Sequence, residues 1–176
     1  MMRVSKLIVC LLFFFVIASS RVVAQESLTK FVAGPHGDET RILIALTHVT
    51  DDGYQLQSLI IDLSPLKKGE EPSSFHVDLT STIRSLATGA KQQKIFIFHW
   101  DKTGDIDVKC NGKYEKHQAN AALDKIIEVT KAVIKIIPTN LKEPKDLKLP
   151  AELEAAVAAI LNGMNAQDLP CLRELN

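Results

Sequence analysis

The chain has 176 residues, with 21 basic and 21 acidic side chains and 46% apolar residues. That is enough chain, and enough apolar content, for one domain with its own core. The even charge balance excludes the basic surface that nucleic acid or an anionic membrane would select.

Residues 1–6 carry Arg3 and Lys6, and residues 7–18 (LIVCLLFFFVIA) form an apolar run, followed by a polar step, Ser19-Ser20-Arg21, that leads to Val22-Val23-Ala24. A basic start, a short apolar stretch and a small residue at the expected cut are the layout of a secretory signal peptide. The run falls short of the roughly 20 apolar residues that a membrane-spanning helix needs. The expected division is a signal peptide at 1–24 and one globular domain at 25–176, with no transmembrane span after cleavage. Arg3, Lys6 and Arg21 leave with the signal, so 18 basic residues face 21 acidic ones and the net charge becomes −3. Cys10 leaves too. Cys110 and Cys171 are then expected to pair as a disulfide in a secreted or periplasmic protein.

Residues 41–50 (RILIALTHVT) and 54–63 (YQLQSLIIDL) read as two strands. Asp51-Asp52-Gly53 between them has the chemistry of a tight hairpin turn. Residues 64–74 read as a polar loop with two prolines. Residues 75–89 satisfy two periods: Phe75, Val77 and Leu79 alternate as in a strand, while Phe75, Leu79, Ile83 and Leu86 fit a helix. A strand running into a helix is expected there. Residues 94–100 (KIFIFHW) and 105–110 (DIDVKC) form a second hairpin, closed by Asn111-Gly112. Asp101, Asp105 and Asp107 surround the turn inside it, but the Gly is misplaced for a calcium loop and the closing Glu is missing.

The apolar period then changes. Across residues 114–137, Ala119, Ala122, Leu123, Ile126, Thr130, Val133 and Ile137 recur at steps of three and four, predicting a long amphipathic helix stopped by Pro138. Pro150 opens a second helix, with Leu153, Ala156, Val157, Ile160, Leu161 and Met164 as its apolar stripe. The predicted fold is therefore α+β: an antiparallel sheet of two hairpins, about four to five strands, packed by two C-terminal amphipathic helices.

The chemistry-bearing stretch is AGPHGDET, residues 33–40. His36 and Glu39 in one short turn could both reach a Zn²⁺, at bonds near 2 Å. The segment resembles the Gly-x-His-Gly-Asp/Asn-Glu-Thr motif of the zinc carboxypeptidase and succinylglutamate desuccinylase group. That resemblance implies His36 and Glu39 as two zinc ligands, and His99, after the KIFIFHW strand, as the third. It also implies a small zinc-dependent hydrolase. In FHVDLTSTIR (75–84), which is similar to that group's Asp-Leu-His-Thr segment, Thr80 stands where the histidine is expected. The group's Asn-Arg pair and its late general-base Glu have no counterpart in the chain.

The simpler reading treats residues 34–37 as a turn leading into the first strand. It makes the protein an exported, non-enzymatic binding or interaction domain without a cofactor, whose partner is a protein or a small apolar ligand. No Gly-x-Ser-x-Gly elbow or phosphate-binding loop competes with it.

Overall fold

The computed structural model describes residues 27–176, so the expected signal peptide at 1–24 lies outside the described residues. The strands are β1 (Ser27–His36), β2 (Glu39–Thr50), β3 (Gly53–Leu63), β4 (Ser74–Ser85), β5 (Lys91–Asp101), β6 (Ile106–Cys110), β7 (Lys113–His117), β8 (Lys145–Asp146) and β9 (Arg173–Leu175). Two helices, α1 (Ala121–Lys135) and α2 (Ala151–Asn162), interrupt the series after β7 and β8. All nine strands belong to one sheet, in the order β7-β6-β5-β4-β3-β2-β1-β8, and β9 pairs with β5. Every pairing is antiparallel, so β1 to β7 form one continuous meander.

This corrects the expected architecture. Among the described residues the chain is mostly antiparallel sheet, with nine strands and only two short helices, rather than four or five strands packed by two helices. Three local causes account for the difference. In β1, Phe31 and Ala33 alternate inward, but Gly34 and Pro35 disguise a strand whose pairing runs from Ser27↔His48 to His36↔Glu39. In β4 the period of two continues through Ser81, a buried polar residue that breaks the apolar alternation, and no helix forms before Gly89. β7 (KYEKH) is polar throughout because it is an edge strand, and charge on an edge discourages pairing with other chains. The long helix accordingly begins at Ala121, not at Tyr114.

One face of the sheet is dry. Ile42, Ile44, Leu59, Ile61, Phe75, Val77, Leu79, Phe96, Phe98, Ile106 and Val108 alternate inward and are almost completely buried. They form a single cluster with Leu123, Ile126, Val133 and Ile134 of α1 and with Val157, Ile160 and Leu161 of α2. Each such side chain contributes about 1.5–3 kcal/mol through burial, before the entropy of ordering it is counted. The Asn120 side chain caps α1 by accepting from the Leu123 amide at 2.9 Å. Gln57, polar on the dry face, donates to Asn162 Oδ1 at 2.9 Å and so ties the end of α2 to β3.

The connection from α1 to α2 crosses the outside of β1. There β8 pairs with Val32 and Ala33, and the Leu147 amide donates to the Phe31 carbonyl at 2.8 Å. The tail leaves α2 and lies as β9 against Gln93–Ile95, on the part of β5 that β6 leaves uncovered. A disulfide between Cys110 and Cys171 pins that tail, as the cysteine count predicts. It is compatible with an oxidising, extracellular location. Among the described residues no helix is long and apolar enough to cross a membrane.

Candidate functional site

In an antiparallel meander, alternate connections fall at the same end of the sheet. The β1–β2 turn, the β3–β4 connection and the β5–β6 turn share one end here, and the second half of α1 lies over it. Together with the segment after α1 they enclose a cleft of about 720 Å³. Its apolar surface comes from Ile42 and Leu63 of the sheet, Leu66 of the β3–β4 connection, Ile134 and Ile137 of α1 and its end, and Leu141. Trp100 closes one side. Its ring stacks on Phe75 with centroids 4.7 Å apart, and the Lys131 ammonium sits 4.0 Å from its centroid. A cation held over an indole face is attracted by the ring quadrupole, which fixes both side chains at the cleft wall.

The rim is charged but balanced. Asp38, Glu39, Glu70 and Glu71 face Lys67, Lys102, Lys131 and Lys135 around the opening. Lys135 approaches Glu71 at 3.8 Å, an exposed pair worth little in free energy. A cleft of this size, with slightly more apolar than polar surface and equal numbers of opposite charges at its edge, suits a ligand of small-molecule dimensions.

AGPHGDET therefore contributes to the site, but differently from the metal reading. Gly37 takes the left-handed conformation (φ +62°) in the two-residue β1–β2 turn, and His36 and Glu39 face each other across it. Both side chains are exposed. Asp38 and Glu39 line the cleft, whereas His36 does not. His99 lies on β5, with β4, β3 and β2 between it and β1. Four interstrand steps of about 4.8 Å separate it from His36 by roughly 19 Å, so the three side chains implied by the resemblance do not converge on one ion.

His99 instead belongs to a polar row across the open face of the sheet, where the register sets Arg41, Asp62, His76, His99, Asp107 and Lys116 side by side. Arg41 grips Asp62 through two bonds of 2.7 and 2.8 Å, which raises the Arg41 pKa further. The Tyr114 hydroxyl lies 3.2 Å from Nε2 of His76. Burial pushes the Tyr114 pKa up, with the charge of Asp78 acting in the same direction. The Asp101–Asp107 segment is a hairpin turn. The Asp101 carboxylate accepts from the hydroxyl and the amide of Thr103, which holds its pKa below the usual carboxylate range.

His48 lies near the other end of the sheet, beside a second cleft of about 560 Å³ under α2. Trp100, Lys131 and the 138–141 segment carry the main cleft, and no spacing rule singles them out. The available signal was Trp100 itself, a large aromatic ending a strand at a turn. Comparison with protein-family models, with curated proteins and with solved structures gives no significant match for this chain.

Proposed function

We propose that this protein is an exported, non-enzymatic binding domain that holds a small, mostly apolar ligand in the cleft between the sheet end and α1. The observation that carries the reading is the cleft itself: about 720 Å³, with Leu66, Ile137, Leu141 and Trp100 giving apolar surface and a rim whose charges cancel. Such a rim gives no reason to prefer an anion or a cation, and the interior favours apolar area. The Cys110–Cys171 bridge supports export, since such a bond persists in oxidising compartments.

Trp100 supplies the assay, because it is the sequence's single tryptophan and stands in the cleft wall. Titration with an uncharged apolar probe such as N-phenyl-1-naphthylamine should shift Trp100 emission and saturate at about one probe per chain. Leu66→Arg and Ile137→Arg each set a charge against the apolar interior. Each should weaken probe binding by about tenfold or more while circular dichroism stays native, since burying an unpaired charge costs more than about 1.4 kcal/mol. Absence of saturable binding, or binding indifferent to both substitutions, rules the cleft out as the site.

A further inference from the structure

A second group of ligand-type side chains lies outside the cleft. Cys110 ends β6, His117 ends β7, and Cys171 stands in the tail just before β9. The tight Asn111-Gly112 turn, with both residues at positive φ (50° and 85°), joins the first two strands. Nε2 of His117 lies 3.5 Å from Sγ of Cys110. The two sulfurs and a ring nitrogen of His117 all fall within 4.8 Å of one another, the one such triad of metal-binding groups among the described residues. Cys110 is buried and fixed by the sheet, while Cys171 is exposed on a tail. In the disulfide form the sulfurs are bonded to each other and hold no metal.

We propose that the reduced, dithiol form of this protein binds one Zn²⁺ through Cys110, His117 and Cys171, so that the disulfide is one state of a redox-switched metal site. Two thiolates and one imidazole are a donor set that zinc prefers, at bonds of about 2.3 Å to sulfur and about 2.0–2.1 Å to nitrogen. The spacing of the three side chains is already close to what those bonds require. Only the sulfurs must part, and the exposed Cys171 can move while Cys110 and His117 stay. A low-molecular-weight thiol reductant delivers two electrons and two protons to the S–S bond and is itself oxidised to its disulfide. The two thiols so formed release both protons to solvent as zinc replaces them. His117 binds as the neutral imidazole, and water fills the fourth position. Reoxidation by the small-molecule disulfide reverses the balance: the protein S–S bond re-forms, two electrons pass to that disulfide, which takes up two protons from solvent and becomes two thiols, and Zn²⁺ departs.

The test compares oxidised and phosphine-reduced protein, without oxygen, in competition with a chromophoric zinc indicator. The reduced chain should take up about one zinc with a Kd below about 1 µM, and the oxidised chain none. Reduced His117→Ala should bind at least about tenfold more weakly, and His117→Cys should restore binding, because zinc accepts either donor. If reduction loosens the fold, added zinc should restore the far-ultraviolet circular dichroism. Uptake no tighter than about 10 µM, uptake unchanged in His117→Ala, or a reduced chain that zinc neither binds nor refolds would each overturn the site.

Discussion

Gly34 gives the most direct test of how the connection over β1 shapes the cleft. A Cβ placed on Gly34 meets the Pro144 Cα at 2.6 Å and the Pro144 nitrogen at 3.0 Å. Both atoms are backbone, and ordinary carbon contacts lie near 3.5–4.0 Å. Gly34→Ala therefore forces the connection outward by about 1 Å, with no flexible side chain to absorb the change. The connection is held there by two β8 pairs, by the bond from the Leu147 amide to the Phe31 carbonyl, and by Leu141, Leu147 and Leu149 packed on the core. The expected cost is about 2 kcal/mol, within the range for overpacking, or roughly 4–8 °C in melting temperature for a domain of this size. Amide exchange at Leu147 should accelerate, and apolar-probe affinity should fall with it, because residues 138–141 line the cleft from the same connection. Gly37→Ala is the control. Its added methyl meets nothing within 4 Å, so it should cost only about 1 kcal/mol of left-handed strain and leave Leu147 exchange alone. A Gly34→Ala protein with the wild-type urea midpoint and wild-type Leu147 exchange refutes the reasoning.

Three further outcomes follow from particular groups. Thr130 is fully buried on α1 and its hydroxyl has no partner among the described residues, so Thr130→Val should raise the urea midpoint by about 1 kcal/mol equivalent; a loss of stability would mean that the hydroxyl is satisfied. Reducing Cys110–Cys171, which closes a loop of 61 residues, should lower stability by up to about 4 kcal/mol in zinc-free buffer, read as a shift in denaturant midpoint, and both cysteines should resist alkylation before reduction. Burial lowers the His76 pKa; the charges of His99 and Lys109 act the same way, while Asp62 and Asp78 pull it up. The unfolded chain then takes the proton first, so stability is complete above a pH of about 6.5 and declines as pH falls below it. His76→Gln should flatten that decline between about pH 7 and 5, and an unchanged slope would assign it to other groups.

The legible parts of this fold were those where one local signal dominated. Asp51-Asp52-Gly53 and Asn111-Gly112 turn where their chemistry requires, and KIFIFHW is strand throughout. Pro138 follows the end of α1, which it cannot continue, and Pro150 stands at the N-cap of α2, where its missing N–H costs nothing. The strands that sequence reading missed depend on tertiary context. β1 is held by partners on both sides, β2 and β8, and its Gly34 is needed for the crossing chain rather than for a turn. Ser81 is buried in the line of Phe75, Val77 and Leu79, near Gln57, which the end of α2 satisfies, and no window of sequence shows that partner. The disulfide was legible because the two cysteines expected to remain once Cys10 is set aside admit a single intramolecular pairing.

The site was harder for a reason that the topology makes plain. A meander brings its first, third and fifth connections to one end, so Asp38, Leu66 and Lys102 meet there although more than sixty positions separate the first from the last. No motif spans such distances, but strand parity does. His36, Glu39 and His99 obey the same parity and reach the same end of the sheet. What keeps them apart is lateral: each strand between them adds about 4.8 Å, and zinc tolerates no such gap. An enclosed cleft has no such limit, since its walls need only surround a ligand several ångströms across. The same arrangement that removes His99 from a metal centre therefore sets Trp100, its neighbour in sequence on the opposite face of β5, into the wall of a binding cleft.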